Sequence, residues 1–274
     1  MNYRKLIFIA IIIVCVISIG IGVYREETKT DNSKGIISTI IEKDKEEELS
    51  QEEIKKDFEQ LFDNELHASE YNFSNIKKIN ASEQVIYTLN YSAKSDNYEL
   101  ELNIPVVNIN NSVGNNLNNN TQIIFADKAN DIVKESNTYT IYTVSYTAYV
   151  YDNVLSVIIK SNLKEGTSAQ RTIVQTYNYD LIREKEITLK EIIQRNQISE
   201  KDVSNKIQSS IKEAIKEANK IQVAGYTVYE RNLEDEIYEI DNSNNFYINE
   251  DGKIYIIYAY GNNSFTSEID IVAI

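Results

Sequence analysis

Few residues in this chain can do chemistry, and their spacing excludes most of it. His67 is the single histidine, so a Ser-His-Asp arrangement would have to be built on it. It ends an acidic helical stretch beside Leu66 and Ala68, which predicts a surface histidine at a helix terminus. Cys15 is the single cysteine, so the chain offers no disulfide and no set of His and Cys ligands for zinc. The glycines never fall into a G-x-x-x-x-G-K phosphate loop. Asp241–Asn245 reads DNSNN, the start of a calcium loop, but Phe246 stands where that loop needs Gly and Gly252 where it needs Glu. The stretch is read as a turn. The 42 acidic residues would supply carboxylate pairs for glycoside hydrolysis by abundance alone, and abundance assigns no site. The expectation is therefore no catalytic residue, no metal and no cofactor.

The tyrosines carry more. Tyr139, Tyr142, Tyr146, Tyr149, Tyr151, Tyr177, Tyr179, Tyr255, Tyr258 and Tyr260 gather in segments that read as strands. Such rings are either core residues whose hydroxyls need partners or an exposed row that stacks on sugar rings or anchors a protein. The candidate binding residues are Gln170 and Arg171, at the 164–170 turn, with Tyr258, Tyr260 and Asn262 near a strand end.

The elements that must hold these residues centre on Thr138–Ile193. Aromatic and β-branched residues alternate with polar ones there, breaking at Asp152-Asn153 and at Lys164–Ser168, the pattern of three strands joined by tight turns. Thr188 then starts a short helix. Upstream, Ser50-Gln51-Glu52-Glu53 is a capping box, followed by Ile54, Phe58, Leu61, Phe62 and Leu66 on one face of a helix over 50–66. Gln84–Ala93 and Tyr98–Pro105 read as a strand pair around Ser95-Asp96-Asn97. Val113, Leu117, Ile124, Ala129 and Ile132 predict a helix within 108–136, although its asparagines lower the propensity. Downstream, Ser199 caps the most regular helix, with Val203, Ile207, Ile211, Ala214, Ile215, Ala218 and Ile221 as its stripe. Phe246–Asn249 and Lys253–Tyr260 flank Glu250-Asp251-Gly252 as a hairpin, and Glu268–Ala273 is a last strand. Strands, helices and strands without strict βαβ alternation predict an α+β fold, a largely antiparallel sheet packed with helices.

The first residues are of another kind. Leu6–Val23 is an uncharged run worth about 27 Å of helix, enough to span a bilayer core. Arg4 and Lys5 precede it, which predicts a cytoplasmic N-terminus and an uncleaved signal anchor with the bulk outside. The expected organisation is an anchor over 1–23, a charged tether over 24–49 and an extracytoplasmic domain over 50–274, with 84–193 and 199–274 as its two parts. Every acidic residue and all but two basic ones lie beyond the run. That charge argues against nucleic acid and anionic wall polymers as principal partners and suits a cationic protein or plain solubility.

Several weak motifs in fixed order resemble a known family. They are Leu102-Asn103-Ile104-Pro105-Val106, Asn116-Leu117, Tyr146 with Asn153-Val154-Leu155-Ser156-Val157, Tyr177-Asn178-Tyr179-Asp180-Leu181, Lys185–Leu189, and Phe246-Tyr247-Ile248 before Asp251-Gly252. Together they resemble the extracytoplasmic domain shared by anti-sigma-V factors and the non-catalytic region of PdaC-type peptidoglycan deacetylases. The resemblance implies an α+β domain on the outer face of a Gram-positive membrane, which in anti-sigma-V factors senses lysozyme. This chain departs from it in the turn, where Glu165-Gly166-Thr167-Ser168-Ala169-Gln170 stands for Gly-Gly-Ala-His. Met1–Lys5 is too short for a sigma-factor-binding part, and no deacetylase segment follows. The expected function is a membrane-anchored, non-catalytic binding or sensing module of the cell envelope, with peptidoglycan or a cationic, lysozyme-like protein as ligand. The alternatives are an oligomeric envelope subunit acting through the 50–66 helix and a carboxylate-dependent wall hydrolase.

Overall fold

The computed structural model describes residues 50–68, 71–221, 228–260 and 268–274. The Leu6–Val23 run, Cys15 and Asn262 lie outside the described residues. Among the described residues no helix is long and apolar enough to cross a membrane.

The fold is mixed α+β, a large sheet with helices on one face and a small sheet that meets its other face through the edge strand nearest it, with helices on the small sheet's far side. The large sheet runs β2 (Ile86–Lys94), β3 (Tyr98–Val107), β4 (Thr140–Tyr151), β5 (Val154–Glu165), β6 (Arg171–Asp180) and β7 (Lys185–Glu186), with β1 (Leu66–His67) also on β4. The small sheet is β8 (Phe246–Ile248), β9 (Ile254–Tyr260) and β10 (Glu268–Ala273), ordered β10-β9-β8. The three strands read over 138–180 are β4, β5 and β6, paired antiparallel along their length. Pairing is not antiparallel throughout. β3 and β1 both join the same edge of β4 in parallel, at Leu102↔Val144 and Leu66↔Ala148. A parallel pair needs a crossover, and the helical stretch between β3 and β4 supplies it.

That crossover is α2 (Ser112–Thr121), a π turn (Gln122–Ala126) and α3 (Asp127–Glu135). Its buried residues Leu117, Thr121, Phe125 and Ala129 recur every four positions. That spacing drifts around a 3.6-residue helix, and the wider π turn absorbs the drift. The asparagines that weaken the helix serve its ends. Asn111 accepts from Gly114 N as N-cap (2.9 Å), and the Asn118 amide binds both Val107 N (2.8 Å) and Val107 O (2.9 Å). This layer buries its stripe with Leu100, Leu102, Tyr142, Val144, Tyr146, Leu155, Val157 and Ile159.

The opposite face of the large sheet meets the small sheet and α1 (Gln51–Gln60), through Tyr149, Ile158 and Val174 against Ile54, Phe58, Tyr247, Ile257 and Ile271. The outer face of the small sheet is covered by α4 (Leu189–Arg195) and α5 (Glu200–Ala218), where Val203, Ile207 and Ile211 pack on Ile254, Ile256 and Val272. Thr188 and Ser199 are the N-caps read from sequence. Gly252 turns the β8–β9 hairpin at φ 85°, where a left-handed backbone favours glycine.

Three expectations are corrected. The capping box at Ser50 forms, but α1 ends at Gln60. Asn64 N donates to Tyr146 O (2.8 Å) and Ala148 N to Glu65 O (3.0 Å), so ladder bonds to β4 take Leu66 out of the helix. His67 accordingly sits on a strand, 2.7 Å from Asp63 and stacked on Tyr149 at 5.2 Å. Ile221 lies past the end of α5 and is exposed, outside the stripe.

One side chain staples the segment before β2. Asn108 is buried and bonds Asn80 N (2.8 Å), Asn80 O (2.7 Å) and Gln84 O (3.0 Å). Asn108→Ala is expected to cost about 2 kcal/mol, because the carbonyls it serves lose a buried donor. Urea unfolding measures this, and a cost below about 0.5 kcal/mol would show that water replaces the amide.

Candidate functional site

The residues singled out from sequence do not form one site. Gln170 is exposed in the β5–β6 turn, its amide on Asn162 Oδ1 at 3.2 Å, and Arg171 is half-buried and paired with Glu165. Tyr258 and Tyr260 lie in the other sheet and are buried. Their hydroxyls meet Ser243 Oγ (3.1 Å) and the Tyr238 hydroxyl (2.8 Å), and Arg231 stacks on the Tyr260 ring at 4.8 Å. The reading of these two as surface rings is corrected, since α5 and the 236–242 segment cover that face of β9. The row on β4 is likewise core. Tyr142 donates to Phe125 O (3.3 Å), with burial pushing its pKa up to about 12, and Tyr146 meets Thr88 Oγ1 at 2.8 Å.

The structure instead brings four separate segments around an open cleft of about 470 Å³. Its floor is Ile109, Tyr179 and Leu181, its walls are Tyr71, Ile76, Asn111 and Asn153, and its rim carries Asn72, Asn75, Lys77, Asn110, Ile182 and Glu184.

Each wall has a local cause. Asp152 and Asn153 both take positive φ, 42° and 64°, as a two-residue hairpin turn requires, and Asn153 is the residue facing the cleft. Its carbonyl accepts from Leu181 N at 2.8 Å, which ties the β4–β5 turn to the β6–β7 turn. Asp180 shapes that second turn from inside. Its buried carboxylate accepts from Ile182 N (3.0 Å), Arg183 N (2.8 Å) and the Arg195 guanidinium (3.3 Å). Arg195, at the end of α4, also binds Asp152 O at 2.6 Å, so one guanidinium spans both turns. On the far wall Asn110 N donates to Lys77 O at 2.8 Å, fixing the 71–77 segment.

The polar groups divide into committed and free. Tyr71 donates to Asn153 Oδ1 at 3.2 Å, and Asn111 donates to the Tyr179 hydroxyl at 2.6 Å. Burial pushes the Tyr179 pKa up to about 12, so it stays a neutral phenol near neutral pH. The side-chain amides of Asn75 and Asn110 have no hydrogen-bond partner among the described residues. Lys77 and Glu184 are the charges of the lining, and they are opposite in sign. In a chain of net charge −14, this is a neutral cleft with an aromatic and aliphatic floor. Such a lining suits a ligand rich in hydroxyl and amide groups, held by amide hydrogen bonds and ring contact. Among the described residues no cluster of His, Cys, Asp and Glu could hold a metal ion. Of these asparagines Asn153 reads from sequence only as a strand break, and nothing marks Asn75 or Asn110, because the segments that gather them are far apart in the chain.

No family model matches the chain, and no curated protein does. Its structural neighbours are DUF3298 family proteins. One from Pseudomonas aeruginosa PAO1 is 10% identical with a TM-score of 0.36, over 68% of this chain and 89% of that chain. A second from Bacteroides fragilis NCTC 9343 is 14% identical with a TM-score of 0.36, over 72% of this chain and 92% of that chain.

Proposed function

We propose that this chain is a non-catalytic binding module of the Gram-positive cell envelope, held at the membrane by Leu6–Val23 and taking its ligand in the Tyr71–Tyr179 cleft. The observation that carries the reading is the pair of free amides, Asn75 and Asn110, at the rim of a neutral cleft. Envelope location rests on the uncharged N-terminal run and on the resemblance to the anti-sigma-V and PdaC-type domain. The ligand that fits is uncharged and sugar-like, such as a peptidoglycan glycan strand. Hydrolysis by paired carboxylates is disfavoured at this cleft, since Glu184 is the one acid of its lining.

Cosedimentation of the full chain with purified sacculi tests this. Binding is expected to survive high salt, because a neutral cleft does not work through screened charges. The Asn75→Ala, Asn110→Ala double variant is expected to bind about tenfold more weakly. If that variant binds like the parent while Gln170→Ala or Arg171→Ala fails to bind, the site is the β5–β6 turn. No binding at either salt would move the ligand to a cationic, lysozyme-like protein.

A further inference from the structure

A second cavity lies under α1, shares no residue with the cleft, and is acidic where the cleft is neutral. It encloses about 180 Å³ and is lined by Ile54, Asp57, Phe58 and Leu61 of α1, with Tyr149, Tyr247, Asn249, Glu250 and Tyr255. The α1 residues share one helical face by their three- and four-residue spacing. Asp57 is thus a carboxylate on a face that is otherwise apolar, and it lies past the first turn, where the helix dipole no longer favours an acid.

Neither acid of the lining has a partner among the described residues. The lysines of the same region are engaged elsewhere, Lys55 with Asp270 at 2.9 Å and Lys160 with Glu59 at 2.5 Å. Lys253 lies 6.0 Å from the centre of the Tyr255 ring. The lining itself contains no basic residue. A third group points to a ligand. Tyr247 is 3% exposed, and its hydroxyl, which makes no hydrogen bond among the described residues, is not sealed inside the protein, so it stays open to an incoming donor. Its ring is stacked between Tyr149 (6.0 Å) and Tyr255 (4.9 Å), so it cannot turn away to find one.

We propose that this cavity binds a primary ammonium on an unbranched alkyl stem. The stem lies against Ile54, Phe58 and Leu61, and the ammonium donates its three N–H groups to Asp57, Glu250 and the Tyr247 hydroxyl. The need for both an apolar wall and acceptors selects aliphatic amines over inorganic cations, which would gain nothing from the wall. The same chemistry is offered by a free diamine and by a lysine side chain.

The test is calorimetric titration of the full chain with 1,5-diaminopentane, with 1,5-pentanediol as the uncharged probe of equal length. The diamine is expected to bind and the diol not. Asp57→Asn and Glu250→Gln are each expected to weaken the diamine about fivefold, and the pair together to abolish detectable binding. Both acids are exposed at the mouth, so these variants keep the fold, which circular dichroism verifies. Tyr247→Phe is expected to weaken binding about threefold. Nα-acetyl-lysine methylamide distinguishes the sources. Binding at least as tight as the diamine assigns a peptide lysine, and weaker binding assigns a free amine. Equal binding of diol and diamine, unchanged affinity in the double acid variant, or no diamine binding to folded parent protein would each overturn the proposal.

Discussion

Asp270→Ala is expected to destabilise the protein by about 3–5 kcal/mol, the largest effect of any single side chain discussed for this fold. Asp270 and Arg231 are an ion pair with side chains 0% and 2% exposed, joined at 2.5 Å and 3.1 Å. The second oxygen of Asp270 also holds Lys55 of α1 at 2.9 Å, and Arg231 further binds Glu268 at 2.9 Å and Tyr229 O at 2.9 Å. Removing the carboxylate leaves a guanidinium inside the protein beneath Tyr260 and releases α1 from β10. The cost is that of a buried guanidinium reduced to Glu268 and the Tyr229 carbonyl as partners, not the worth of the pair. It follows that Arg231→Met combined with Asp270→Leu should recover a large part of the loss, because both fully buried members of the network are removed together. Urea unfolding of the parent, both single variants and the double variant closes the cycle. Additive costs would show that the pair is not coupled.

The same residue sets an acid limit. Burial raises the Asp270 pKa, but hydrogen bonds from Arg231 and the charge and hydrogen bond of Lys55 outweigh it, so the net shift is downward. A folded pKa below the unfolded value of about 3.9 means that the unfolded chain takes the proton first. The stabilisation is therefore present above that pH and is lost as pH falls through the lower, folded value. Unfolding free energy measured between neutral pH and strong acid should drop in this window in the parent. In Asp270→Asn that component should be missing.

The sequence made the repeating elements legible and left the coverings hidden. Alternation in β4 to β6, the stripe of α5 and the caps at Ser50, Thr188 and Ser199 are local signals, and each appears where it was read. Periodicity says that Tyr258 and Tyr260 share a face of β9, but not that α5 lies on that face while the large sheet lies beyond the other. A strand covered on both sides therefore read as half-exposed. Leu66 failed for a related reason. Its spacing fits the α1 face, and only the long-range ladder to Ala148 takes it into a strand. The cleft stayed unread because the local signals of its asparagines, where they exist at all, mark a turn and not a site. Asn75 ends a 3-10 helix, Asn110 lies in the loop after β3 and Asn153 in the β4–β5 turn, places where asparagine is common for backbone reasons alone, and only the closure of the fold brings them to one cleft.

The second large effect is expected at Asn178. β8 is an edge strand, and an edge leaves alternate backbone groups without a ladder partner. Here those groups face the large sheet and are closed by its side chains. Phe246 N donates to Thr176 Oγ1 at 3.0 Å, Ile248 N donates to Ser156 Oγ at 3.1 Å, and Phe246 O accepts from Asn178 Nδ2 at 2.7 Å. Ser156 in turn donates to Asn178 Oδ1 at 2.7 Å, so the asparagine amide uses both ends in one buried relay. A strand docked this way cannot slip by one residue, because odd positions carry their N–H groups toward β9. Asn178→Ala strands a buried carbonyl and a buried hydroxyl at once, for an expected cost of about 3 kcal/mol. Asn178→Asp should do no better, since a carboxylate can accept from Ser156 but offers Phe246 O nothing. Hydrogen exchange separates this from a general loosening. The Ile248 amide, held by Ser156, should lose protection before the amides of β5 and β6 do. A cost under about 1 kcal/mol with Ile248 protection intact would mean that the two sheets hold together by their apolar faces alone. The register of β8 would then be set by Tyr247 and its stacked neighbours.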